Sequence, residues 1–331
     1  MSAPPRRASR RRKPASTLVR TRILRGMKRQ LPTFVMLVAL ITGVGVLYAY
    51  ADKHALTQAL PLCFGIGVAG ALALSATLEF SRNTVTSIAS LGKHRGYVVL
   101  GAAPELTTAD LRALPPEWRS PLGCLAFQPA SPFSSAFRDL QGSIVDDHVV
   151  AFIAPIPNDG ASTVALGAAV SAMQQGRRVV IVDCDLRRRS LTRAFGRDPD
   201  QGVLEAAERP QNWRAAIDHE HETGLAFIPA VEIDNPWRGL IGAPGLQALI
   251  QELRREFDLV ILDCPPALAN AEGRILAGLA DKCVLVAAWD DTTIGAIRVS
   301  VGSIRMRANA GTALFINRVP ANYRFGRLGR D

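Results

Sequence analysis

Residues 149–163 read Val-Val-Ala-Phe-Ile-Ala-Pro-Ile-Pro-Asn-Asp-Gly-Ala-Ser-Thr. The apolar run 149–154 is closed by Pro155 and Pro157, which a strand or helix interior rarely tolerates. A short, wholly apolar run of this kind predicts a strand buried on both faces. Residues 163–175 predict a helix ending near Gly176. Strand, loop with Asp159 and Gly160, and Ser162-Thr163 at a helix start is the layout of a phosphate-binding loop. The usual motif places Gly at 155 and Lys at 161, and this chain has Pro155 and Ala161. The helix N-terminus can still attract phosphate, and the Ser162 hydroxyl can still ligate Mg²⁺. On this loop alone, Ser-Thr capping of an ordinary helix is a sufficient reading.

The pattern repeats on either side. Val179–Val182, Leu225–Pro229, Leu259–Leu262, Val284–Ala287 and Ala313–Ile316 are apolar runs, with helix-like stretches at 245–256, 271–280 and 293–308. Apolar strands alternating with helices predict an α/β fold, a mostly parallel sheet with helices on both faces. Ligands in such folds bind at the carboxyl ends of the strands. Two strands end in Asp183-Cys184-Asp185-Leu186-Arg187-Arg188 and Asp263-Cys264-Pro265-Pro266. An Asp at the tip of a buried strand needs a charged partner or a metal. Asp183, Asp185 and Asp263 suit Mg²⁺ or activation of an attacking hydroxyl. The competing reading has Asp183 and Asp263 capping helices or pairing with Arg187 and Arg188. Together with the loop at 154–163 they favour a nucleotide-type pocket.

The net charge of +10 has a single source. Residues 1–30 hold nine Arg, two Lys and no acid, which leaves 28 basic against 29 acidic residues in 31–331. That excludes a globular domain with a basic nucleic-acid face. Uncharged runs of 21 and 24 residues follow, at 31–51 and 55–78. About 20 helical residues cross a bilayer core, so each run is long enough to span. With residues 52–54 between them, they predict a transmembrane hairpin preceding the α/β domain. A basic tail keeps the N-terminus in the cytoplasm, and two spans return the bulk of the chain there, under the plasma membrane. A cleaved signal peptide is the rival reading of the start. Residues 79–143 read as a connector, with a helix over 79–95, a strand at 97–104, a Pro/Ser/Gly-rich linker at 114–134 and a helix from Ser131. The main domain is expected over 144–319, with a tail at 320–331. Cys63, Cys124, Cys184, Cys264 and Cys283 form no paired spacing and read as reduced thiols. The five His show no zinc pattern.

The order of these segments resembles the bacterial tyrosine kinases of polysaccharide export, the cytoplasmic half of the chain-length-determinant (co-polymerase) proteins. Those belong to the MinD/ParA branch of P-loop ATPases. The similarity runs from about residue 59 to 319. Tyr97–Pro104 resembles the family's "LG-x-x-P" segment, and Ser131–Arg138 its "SP-x-x-EAFR" helix. Val182–Arg188 is similar to "DxDLRRP", and Asp258–Pro266 to the Walker B "DxVIIDTPP". Asn317-Arg318-Val319 matches the end of its last strand. The resemblance implies ATP and Mg²⁺. Asp183, Asp185 and Asp263 would then be catalytic, with Ser162, Asp183 and Asp263 as metal ligands. Asp159, Gly160, Ala161, Ser162, Thr163, Arg187 and Asn317 would surround the nucleotide.

Four features depart from the family. The large domain between the spans is absent, the phosphate-loop Lys is Ala161, and the oligomerisation-helix charges read Ser135, Arg138 and Gln141. Only Tyr323 follows the last strand. Losing a phosphate-binding Lys removes a contact worth about 1.5–3 kcal/mol. The expected function is a membrane-anchored, catalytically impaired kinase-like protein that regulates or scaffolds exopolysaccharide or capsule synthesis and export. Two alternatives stay open. One is an active ATP-dependent tyrosine kinase in which Arg187 or Arg188 replaces the Lys. The other is a MinD/ParA-like positioning ATPase. The expected partners are the inner membrane, the polysaccharide synthesis and export machinery, a partner kinase or co-polymerase subunit, and further copies of the chain. Nucleic acid is not among them.

Overall fold

The computed structural model describes residues 31–32, 35–36, 38–44, 46, 64–74, 83–86, 91, 98–232, 239–240, 245–269, 271–305 and 311–321. The chain divides into two compact units, Met1–Asn83 and Thr84–Asp331.

In the first unit all the described residues from 31 to 74 are helical. Gly67 faces Ile41, whose Cβ would lie 3.4 Å from a Cβ built on the glycine. Leu31, Val35, Met36, Leu40, Val44, Phe64, Ile66 and Leu72 are exposed. Among the described residues no helix is long and apolar enough to cross a membrane. Much of both expected spans, including 47–51, 55–63 and 75–78, lies outside the described residues, as do the basic tail, the loop 52–54 and Tyr323.

The second unit carries an eight-stranded sheet. Its strands are β1 (Val98–Pro104), β2 (Val149–Ile153), β3 (Val179–Asp183), β4 (Asp218–His219), β5 (Ala226–Ile228), β6 (Leu259–Asp263), β7 (Lys282–Ala288) and β8 (Gly311–Val319). The order across the sheet is β1-β8-β7-β2-β6-β3-β5-β4. Every pair is parallel except β4 with β5. Chain order runs from β2 toward one edge and returns past it to the other. The crevice for a ligand therefore opens at the carboxyl end of β2.

The apolar runs have a simple cause. Val149, Ala151 and Ile153 face one core, while Val150, Phe152 and Ala154 face the other. Helices α4 (Ala161–Gln174), α3 (Pro132–Ser143) and α2 (Pro121–Phe127) cover the second face. The first is covered by α6 (Val203–Glu208), α7 (Leu246–Glu256), α8 (Glu272–Ala277) and α9 (Ile294–Arg305). Short helices α1 (Thr108–Arg112) and α5 (Ser190–Ala194) complete the set. Phe137 on α3 presses against Gly167 on α4, where any Cβ would meet its ring at 2.5 Å. It also stacks on Phe315 of β8, with ring centroids 6.0 Å apart.

Two segments fold differently from their sequence reading. Residues 114–134, read as a linker, contain a 3₁₀ turn and α2. The Ser120 hydroxyl accepts from the Gly123 amide at 3.1 Å, and Pro121 sits in the first turn, so the Ser-Pro pair starts a helix. Within the helix expected over 79–95, Thr84-Val85-Thr86 is not helical: Thr84 bridges to Thr293, and the Val85 amide donates to Thr292 O at 3.0 Å. Adjacent β-branched residues favour that extended path. Val98–Pro104, placed in the connector by sequence, pairs with β8 as an edge strand.

Candidate nucleotide site

The loop from Ala154 to Gly160 is tied down at both edges and turned by two residues of positive φ. Asn158 and Gly160 both adopt positive φ, 70° and 95°. A side chain at 160 would bring a Cβ to 2.0 Å from Asn317 Nδ2, so only glycine fits there. That Asn317 amide, at the end of β8, donates to Asp159 O at 3.0 Å. The chain after β6 holds the loop's other edge, as the Ala267 amide donates to Ala154 O at 2.8 Å. Gly160 then ends the loop and α4 begins at Ala161.

The loop borders a cavity of about 340 Å³. Gly160, Ala161, Ser162 and Thr163 line it, as do Asp185 and Arg188 from beyond β3. Arg187 does not line it; its charge acts on Glu272 instead. Asp159 and Asn317 are buried beside the loop as its latch. Sequence reasoning missed Arg318, which lines the cavity from the end of β8 and donates to Asn158 O. It also missed Thr192, whose amide and hydroxyl donate to Asp183 Oδ2 at 3.0 and 2.9 Å. The Asn317-Arg318 pair closing an apolar strand was the available signal for Arg318. A hydroxyl in the helix start after Asp185 was the signal for Thr192.

Asp183 and Asp263 stand side by side, paired in register at the ends of β3 and β6. Both are buried, at 0% and 1% exposure. Burial pushes the Asp183 carboxyl up to about 6, against the pull of the hydrogen bonds from Thr192 and from the Asp185 amide. Burial, and then the neighbouring Asp183 charge, pushes Asp263 up well above the ordinary range. The Ser162 hydroxyl is close enough to lower it, but neither Asp263 oxygen meets a hydrogen bond of satisfactory geometry. An unpartnered buried carboxylate beside a second one fits a divalent cation, with Ser162 as a third oxygen donor. Asp185 serves its own loop, with Oδ1 accepting from the Arg187 and Arg188 amides at 3.3 and 3.0 Å. Among the described residues no three His, Cys, Asp or Glu side chains gather as a metal cage. The oxygen donors that could serve a cation here are Asp183, Asp263 and Ser162.

Cys124, Cys184, Cys264 and Cys283 are buried free thiols, and Cys63 lies outside the described residues. Burial raises Cys184 and Cys264 well above the usual thiol range and Cys283 to about 12, so these three stay protonated at neutral pH.

The family model for the ATPase MipZ matches residues 148–294. Over 278 residues the chain is 28% identical to the succinoglycan biosynthesis transport protein ExoP of Rhizobium meliloti, covering 75% of this chain and 35% of that one. It is 30% identical over 165 residues to the tyrosine-protein kinase YwqD of Bacillus subtilis, covering 48% of this chain and 70% of that one. The chain spans 35–37% of the length of the first curated relatives it matches. The kinase domain of the Escherichia coli tyrosine kinase ETK shares the fold, with a TM-score of 0.59 and 20% identity over 70% of this chain and 95% of that domain. By sequence this chain belongs to the bacterial tyrosine-protein kinases, and its residues 148–294 match the model of the ATPase MipZ.

Proposed function

We propose that the chain is a membrane-anchored, catalytically impaired member of this family that regulates exopolysaccharide or capsule synthesis and export. One observation carries the reading: the carboxylate pair Asp183 and Asp263 is intact beneath a cavity whose phosphate loop presents the methyl of Ala161. ExoP, by name a succinoglycan biosynthesis transport protein, supplies the polysaccharide context. The two uncharged runs and the exposed apolar helical residues of the first unit support the anchor. ATP and Mg²⁺ are the ligands the site suits. Ser162, Asp183 and Asp263 would hold the cation, which would bring positive charge to the phosphates. The loop amides would orient those phosphates, and the latch through Asn317 would keep the loop in shape. Without a Lys at 161, charge developing on a transferred phosphoryl group loses a stabilising contact, so transfer is slow. The fellow members of a synthesis complex, a partner kinase or a co-polymerase subunit, would then supply the chemistry.

The test is genetic. Deleting the gene in its host should change the amount or chain length of the secreted polysaccharide, and the wild-type chain should restore it. Unchanged polysaccharide would refute the assignment.

A further inference from the structure

We propose that Arg318 and Arg188 form a guanidinium clamp. It takes over, from two other elements, the phosphate-binding charge absent at Ala161, and its ligand is the polyphosphate of a nucleoside di- or triphosphate. The clamp rests on the kinase-like reading of the cavity and names what that cavity grips.

Both arginines converge on one loop residue. Arg188, in the segment between β3 and α5, donates through Nη1 to Asn158 Oδ1 at 3.3 Å. Arg318, just past Asn317 on β8, donates through Nη2 to Asn158 O. The two guanidinium groups therefore hold the same loop residue, one through its side chain and one through its backbone, and both line the cavity together with Ala161, Ser162 and Thr163. Among the described residues their only charged companion in the lining is Asp185, which already accepts from two amides. The lining therefore carries two positive charges against one negative, although position 161 supplies none.

Arg318 is placed with some strain, which fixes its direction. Its φ is 58°, in the left-handed region a non-glycine residue seldom occupies. The Asn317 Oδ1 holds that turn by accepting from the Arg318 amide at 3.0 Å. Asp291 stands 3.6 Å from Nη1 and steadies the fork from outside the cavity lining. Guanidinium groups bind phosphate through two parallel donors, so a pair can replace one ammonium group. The cavity volume of about 340 Å³ lies in the range of small-molecule sites.

The full chain, titrated with ADP and with ATP·Mg²⁺ by calorimetry, tests the clamp. The wild-type chain should bind ADP despite Ala161. Arg318→Gln and Arg188→Gln should each weaken binding by about ten-fold or more. Arg318→Lys should recover only part of the loss, because the charge returns without the fork. Inorganic triphosphate should compete with ADP on the wild type. Arg255→Gln, at the opposite, amino-terminal end of the sheet, should bind as the wild type does. Thermal unfolding of each variant separates lost binding from lost folding. Equal ADP affinity in the wild type and both glutamine variants would overturn the clamp and leave the kinase-like reading standing. A wild type that binds no ADP until Ala161 becomes Lys would also overturn the clamp while supporting loss at the loop. Absence of binding by both chains would overturn both.

Discussion

The loop 154–163 and the strand ends at Asp183 and Asp263 meet in one site but are held in different ways. The carboxylates are fixed by strand register, since Asp183 pairs with Asp263 through the same ladder that builds the sheet center. They are buried, and their ionisation is coupled to folding itself. The loop is shaped by a few contacts at its edges, chiefly the Asn317 latch and the arginine donors on Asn158. Its position 161 carries no structural duty that a lysine alone could meet, and alanine is the better helix former. A charge can therefore leave the loop without disturbing the fold, whereas a change at the carboxylates alters folding energy directly. That contrast would explain how one half of the proposed nucleotide site persists while the other departs from the family.

The contrast breaks most readily at Asp263. Burial and the Asp183 charge favour the protonated form of Asp263 in the metal-free chain, so the charge appears there chiefly when a cation binds. Asp263→Asn should therefore leave the denaturation midpoint without Mg²⁺ within about 1 kcal/mol of the wild type and abolish the gain on adding it. A variant that keeps the full Mg²⁺-dependent gain would contradict this account of the carboxylate side.

Acidity gives the next largest effect. Asp183 titrates near 6 in the folded chain against an ordinary 3.8. Its proton is therefore held more tightly in the folded state, and the cost of its ionisation is absent below about pH 4 and grows as pH rises through 6. Between those limits this one group should remove on the order of 3 kcal/mol from the metal-free chain as pH rises. Mg²⁺ should protect the protein above pH 6 and lose its effect below, and protection that persists at pH 5 would count against a carboxylate ligand.

Smaller still is the loop itself. Gly160→Ala should destabilise by about 1–2 kcal/mol through its positive φ. It should also drive Asn317 off Asp159 O, weakening nucleotide binding more than it lowers the melting temperature. An alanine variant with unchanged binding would show that the latch does not shape the site.

Sequence reading reached the central strands because two buried faces write an uninterrupted apolar run, as in Val149–Ile153 and Leu259–Leu262. It missed β4 because Asp218–His219 is two polar residues joined to β5 through backbone alone. The stretch 114–134 looked like a linker because Pro, Ser and Gly also write helix caps, and its buried apolar residues Leu114, Cys124, Leu125 and Phe133 are spread too thinly to show a periodic pattern. In the site, residues following strand ends were legible, since chain position alone puts Asp183, Asp185 and Asp263 there. Arg318 and Thr192 were not, because their roles depend on side-chain direction across the sheet. Arg187 was favoured by its place beside Arg188, yet alternate residues of a turn point different ways, and only Arg188 lines the cavity.

The most direct measurement is phosphotransfer and ATP turnover by the wild-type chain and by Ala161→Lys under the same ATP·Mg²⁺ conditions. The wild type should be slow or inactive and the lysine variant faster by about ten-fold or more, the reach of one restored charge-assisted contact. Full turnover by the wild type, unchanged by the lysine, would contradict the account.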